Sequence, residues 1–133
     1  MEVIAEDSVY VVHVYPEDGI IAHQMLGFVE GESFKRMLMA GLEAFREYGC
    51  SKWLSDDSRN PMMNPEDLEW SHLNWEPEIK KSGWKYWALI VPQGAFGKMA
   101  MRGLVQRYEQ KIGVIVKFCN SYDEGLEWLK SQP

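Results

Sequence analysis

Apolar and polar positions follow two rhythms along the chain. Ser8 to Tyr15 reads SVYVVHVY and Ile20 to Leu26 reads IIAHQML, two β-branched and aromatic runs separated by Pro16-Glu17-Asp18-Gly19. Turn residues between strand-like runs predict a β-hairpin. With those four residues as the loop, Tyr15 faces Ile20 and Val12 faces His23, and alternation of side chains sends His13 and His23 to opposite faces. A slip of one residue would bring the two histidines to the same face, so their exclusion as a metal pair depends on that register. Both faces of the hairpin carry apolar residues, which suits a sheet covered on both sides.

The helical rhythm begins at Ser33. Phe34, Leu38, Leu42, Phe45 and Tyr48 fall on one side of a helix over 33–48, with Lys35, Arg36, Glu43, Arg46 and Glu47 on the other. Gly49 supplies the left-handed stop. Lys52 to Ser55 is the next strand, followed by loop from Asp56 to Asn64. Asn64 and Pro65 are a helix cap and first turn, with Glu66 and Asp67 near the positive end of the helix dipole. That helix carries Leu68, Trp75 and Ile79 on one stripe with His72 between them and Trp70 on another, and Pro77 predicts a break near Trp75. Trp84 to Val91 is a buried strand, about Phe96 to Gln110 a helix, and Ile112 to Cys119 a strand. Ser121 and Glu124 form a capping box for a last helix anchored by Leu126 and Leu129.

The predicted order is ββαβαβαβα. It describes a single α/β domain over residues 1–133, with a mixed five-stranded sheet, an antiparallel hairpin plus parallel strands, flanked by about four helices. Composition agrees: 46% hydrophobic and 26% charged residues suit one globular core. A net charge of −6 with scattered basic residues argues against nucleic acid as a partner. No apolar run is long enough to span a bilayer and the amino terminus lacks signal-peptide features, so the expectation is a soluble, cytoplasmic protein. Cys50 and Cys119 stand outside any metal or redox spacing and read as reduced structural thiols.

Trp53-Leu54-Ser55-Asp56-Asp57, Trp75-Glu76-Pro77, Gly83-Trp84-Lys85 and Gly125-Leu126-Glu127-Trp128-Leu129, together with the element order, resemble the SpoIIAA-like branch of the STAS superfamily. The resemblance covers almost the whole chain. It implies a regulatory or ligand-binding module, and such chains are also linked to CRAL-TRIO-like lipid-binding domains. It further implies a phosphorylatable serine after the third strand, at Ser58 or secondarily Ser55. Here Ser58-Arg59-Asn60-Pro61 runs into loop rather than helix, and a phosphate on Ser58 would meet two neighbouring carboxylates.

The candidate chemistry gathers where that strand ends, the usual ligand end of an open α/β sheet. Ser55, Asp56, Asp57, Ser58, Met62, Met63, Trp70 and His72 are the expected ligand- or partner-binding residues. Asp56 and Asp57 with Glu66, Asp67 and Glu69 are rich enough in oxygen to consider magnesium or calcium, but no ligand-loop spacing accompanies them, and no metal or cofactor is expected. His72 is the one histidine placed to act as acid or base beside Ser58 or Asp57. Met62, Met63, Trp70, Trp75 and Trp84 form a candidate binding surface, since Met and Trp adapt to apolar partners. The expected function is a non-catalytic interaction module working through the loop at 55–64. The alternative is a carrier of a small apolar or lipid-like ligand, and the third reading is a metal-assisted enzyme using Asp56 and Asp57. Homodimerisation fits any of these.

Overall fold

The structure, a computed structural model, describes the backbone of residues 1–133 and every side chain except those of residues 95 and 96. The hairpin forms in the predicted register: β2 (Tyr10–Tyr15) pairs antiparallel with β3 (Ile20–Met25), Tyr15 opposite Ile20 and Val12 opposite His23. β3, β4 (Lys52–Asp56), β5 (Tyr86–Ile90) and β6 (Ile115–Phe118) are parallel neighbours. The sheet has six strands rather than five. Glu2–Glu6 is an additional strand, β1, pairing antiparallel with β2 across an irregularity between Val3 and Ala5. Its alternation was too short and too charged to stand out, and as an edge strand it is mostly exposed.

The helices are α1 (Gly31–Glu47), α2 (Pro65–Asn74), α3 (Glu76–Lys81), α4 (Ala95–Lys111) and α5 (Tyr122–Lys130). α2 and α3 are the two halves of the single helix predicted after Asn64, broken at Trp75 as Pro77 requires. Asn64 caps α2 by accepting from the Glu66 N–H, and Ser121 caps α5 by accepting from the Glu124 N–H. Asp67 does something the sequence did not suggest. Its carboxylate turns away from its own helix to accept from the Gly31 N–H at the start of α1, 2.9 Å away, tying the two helix starts together.

The strands lie in sequence order across the sheet. Crossovers of one hand between successive parallel neighbours place every connecting helix on the same face. The core shows this. Val12, Ile21, Trp53, Trp87 and Leu89 point to the face that also buries Phe34 and Phe45 of α1, Ile79 of α3 and Tyr108 of α4. Ile20, Ala22, Leu54, Ala88 and Ile90 point to the other, where Leu129 of α5 meets them. Gly41 permits the thick face: a Cβ there would lie 2.3 Å from the Trp53 ring, so only glycine lets α1 settle over that indole.

Candidate functional site

Four of the six tryptophans meet beneath α1 to α4. Trp53 and Trp75 pack edge to face with centroids 5.3 Å apart, Trp84 and Trp87 are also 5.3 Å apart, and Tyr108 lies within 5.5 Å of Trp84 and 5.4 Å of Trp87. Buried indole N–H groups need acceptors, and all four find one. Trp75 donates to the Leu38 carbonyl, Trp84 to the Tyr86 carbonyl, Trp87 to Ser55 Oγ at 2.9 Å and Trp53 to His23 Nδ1 at 3.0 Å. Trp75, whose place on the main helix stripe already pointed to the core, is core, and so is Trp84.

The bond from Trp53 fixes the chemistry of His23. An indole N–H can only donate, so His23 Nδ1 accepts and its proton sits on Nε2. Nε2–H in turn donates to Asp57 Oδ1 at 2.8 Å, with both side chains buried. Strand geometry assembles this chain. β3 and β4 pair His23 with Ser55, and the Asp57 N–H bonds to the Ile90 carbonyl, so strand alternation continues past β4 and puts Trp53, Ser55 and Asp57 on one face.

Alternation also separates the two carboxylates expected to act together. Asp56 lies on the other face, where it accepts from Gln24 Nε2 and from both the Ser58 hydroxyl, at 2.6 Å, and the Ser58 N–H. Ser58 is exposed, but its hydroxyl is engaged by that carboxylate. Among the described residues no three His, Cys, Asp or Glu side chains form a set that could hold a metal ion.

His72 does not reach Ser58 or Asp57 in any bond or ion pair of the structure. It stands toward α4, its ring edge-on to Tyr108 and its Nδ1 3.5 Å from Glu76 Oε1 without the alignment of a hydrogen bond. Burial and the nearby Arg107 hold its pKa below the usual imidazole range. Glu76 is instead clamped by Arg107 through two bonds of 2.6 and 2.9 Å, the fork that ties α3 to α4. Trp70 sits half-buried beside α1 with the Lys35 ammonium 5.7 Å above its ring.

The remaining expected residues do come together. Met62, Met63 and Asp57, with Asn60, line a cleft of about 370 Å³ at the carboxyl ends of β4 and β5, together with Leu68, Val91, Met101 and the exposed Gln93 among others. Met62 is 59% exposed at the rim, while Met63 is half-buried and packs on the core. Asn60 is buried. Its amide oxygen has no hydrogen-bond partner among the described residues, and its amide nitrogen meets only the Met63 sulfur, 3.7 Å away. Behind the cleft lies an internal cavity of about 40 Å³, lined by the aromatic cluster, His23, Ser55 and Asp57. Beside it, toward His72 and Arg107, is a second opening of about 300 Å³. Met63, Leu68 and Met101 line all three spaces. A broader hollow of about 570 Å³ lies against Gln93, Gly94, Lys98 and Asn120, but these residues are exposed and frame open surface.

His23, Asn60 and Met101 are the residues that sequence reasoning passed over. His23 had a usable signal, since it shares a face with Val12 in the hairpin register; placing it beside Asp57 also required the pairing of β3 with β4. Comparison of the chain with protein-family models, with curated proteins and with solved structures yields no match. Among the described residues no helix is long and apolar enough to cross a membrane.

Proposed function

We propose that the protein is a non-catalytic binder of a small, largely apolar ligand, held in the cleft between the loop after β4 and the first turns of α4. The observation that carries this reading is the cleft itself: flexible apolar walls from Met62, Met63, Leu68 and Met101 around two buried polar groups, Asp57 and Asn60. Its volume falls in the range of small-molecule sites, and apolar walls with a few placed polar groups are their usual make-up. Methionine lets such walls adapt to a guest. The position at the carboxyl ends of parallel strands is the common ligand end of an open α/β sheet. The resemblance to SpoIIAA-like STAS domains, which implies a regulatory or ligand-binding module, fits the same reading.

A catalytic role has less support. Both ring nitrogens of His23 are engaged, one by Trp53 and one by Asp57. Ser55 Oγ accepts from Trp87, so the nearest hydroxyl is held by the core and not by a base.

Native mass spectrometry of freshly purified protein, compared with the same sample denatured, tests the reading. The expected result is an adduct lost on denaturation and weakened when Met62 and Met63 are both replaced by Ser, with the fold unchanged. A bare protein mass in every preparation, together with no binding of six-carbon alcohols, amines or acids at millimolar concentration, overturns it.

A further inference from the structure

The polar base of the cleft is one-sided. Asp57 is 6% exposed, faces both the cleft and the inner cavity, and receives one side-chain hydrogen bond, from His23. An ionised carboxylate has room for about four hydrogen bonds, and a buried one short of donors is costly. Asn60, 4% exposed, offers a second acceptor with no partner among the described residues. Among the described residues lining the cleft none is basic. The inner cavity adds the rings of Trp53, Trp75, Trp84, Trp87 and Tyr108, whose faces attract cations. Asp57 and Asn60 are the acceptors of the cleft, Asp57 alone also faces the aromatic-lined cavity behind it, and among the described residues only His23 donates to either of these side-chain oxygens.

We infer that the ligand is a primary amine, its ammonium group bound by Asp57 and Asn60 and its apolar chain lying among the cleft methionines. This rests on the ligand-binding reading above and names its chemistry. An ammonium brings three donors and the charge that a buried carboxylate lacks. A hydroxyl brings one donor and no charge; a carboxylate or phosphate would be repelled by Asp57. The inner cavity, about 40 Å³, takes water-sized groups and is too small for a trimethylated head. Met63 couples the two halves of the site. It forms part of the partition between cleft and cavity, and its sulfur stands on the Asn60 amide. Rotation of this flexible side chain opens the partition and uncovers Asn60 in one movement.

The test is titration of the full chain with hexylamine, hexanol and hexanoate, followed by calorimetry and native mass spectrometry, for the wild type, Asp57→Asn and Asn60→Ala. In the wild type hexylamine binds at least about tenfold more tightly than hexanol, and hexanoate does not bind, as a charge-assisted bond requires. Asp57→Asn keeps an acceptor for His23, and it removes the preference for hexylamine over hexanol; an unchanged circular-dichroism spectrum and melting temperature show that the variant is folded. Asn60→Ala, which removes only a weak contact with Met63, reduces the amine preference several-fold. Equal binding of amine and alcohol by the wild type, or an amine preference that survives both substitutions, overturns the amine assignment and leaves the cleft as a binding site. No binding of any of the three probes, with a bare native mass, removes the cleft and the amine together.

Discussion

The two faces of the sheet are built from different materials. One lies under α1 to α4 and holds four tryptophans, the Trp53–His23–Asp57 chain and an internal cavity. The other is covered by α5, nine residues long, and its fully buried centre is small and aliphatic, Ile20, Ala22, Leu54, Ala88, Ile90 and Leu129 with Cys119, while its aromatic residues, Tyr15, Tyr86, Tyr122 and Trp128, lie half-buried at the edge. The asymmetry follows from topology. Strands laid down in sequence order send every crossover helix to one side, so that side must fill a deep space with large side chains and the other needs only a thin cover. Large rings meeting edge to face leave gaps that small aliphatic groups do not, and their N–H groups demand polar partners inside the core. The aromatic face therefore holds the internal space and the Trp53–His23–Asp57 chain, while the α5 face buries Asp56 and Lys52 with their own partners, and the cleft opens from the aromatic face where β4 and β5 end.

The largest contrast is expected from emptying each core at its centre. Trp53→Ala removes an indole that touches Trp75, Trp84, Phe45 and His23; Trp75 and Trp84 are held by their own bonds and His23 Nδ1 loses its donor, so a cost of about 3–5 kcal/mol is expected. Leu129→Ala, under a single short helix that can settle toward the sheet, should cost about 2 kcal/mol, the lower end for a buried leucine. Urea unfolding of both variants measures the difference. A Leu129→Ala cost equal to that of Trp53→Ala would mean that α5 is held as rigidly as the aromatic face.

How much of this was written locally in the chain differs by region in the same way. The hairpin register, the Asn64-Pro65 helix start and the break at Pro77 were readable because turn and cap chemistry acts over a few residues. β1 was missed because five residues with charged ends at an edge carry little pattern. Met62, Met63 and Asp57, read as parts of one loop after the strand, line one cleft at the carboxyl ends of β4 and β5. The partner of Asp57 was not readable: the local helical pattern pointed to His72, whereas the parallel pairing of β3 with β4 delivers His23 from 34 residues away. Trp75 was legible as core from its place on the helix stripe, whereas Trp84 shows the limit of residue type as a guide, since the composition that suits a binding surface also suits a core.

A smaller contrast lies in two helical glycines, one over each face. A Cβ at Gly41 would stand 2.3 and 2.8 Å from two Trp53 ring atoms, and that ring is 1% exposed and bonded to His23. Gly41→Ala should therefore destabilise by about 1–3 kcal/mol through overpacking, despite the better helix propensity of alanine. At Gly125 the nearest atoms are the Leu54 and Ile90 Cδ1 ends, which can rotate, and the fixed Ala88 Cβ, at 3.2–3.4 Å, all outside the hard overlap met at Gly41. There the propensity gain of about 1 kcal/mol should roughly cancel the crowding. Thermal unfolding of the two variants decides the point, and a Gly125→Ala loss matching that of Gly41→Ala would erase the distinction between a rigid face and an accommodating one.

The smallest effect at neutral pH, and the sharpest test of which face opens first, comes from the cysteines. Cys50 belongs to the aromatic-face core and Cys119 to the α5 core, both are buried, and burial raises each thiol from 9.0 to about 11, with Glu124 adding to the effect at Cys119. The thiolate is the reactive form, so a rise of this size reduces it roughly hundredfold at pH 8, and labelling must wait for local opening. Because burial raises both thiols while the faces differ in cover, iodoacetamide should modify Cys119 before Cys50, and peptide mapping over time reads the order. The same groups give an alkaline signature. A thiol whose folded pKa lies above its unfolded value contributes stability that is complete below about pH 9 and lost as pH rises through about 11. Cys50→Ala and Cys119→Ala should each flatten that decline. Modification of Cys50 first would place the weaker cover over the aromatic face, and the thick side of the sheet would then be the mobile one.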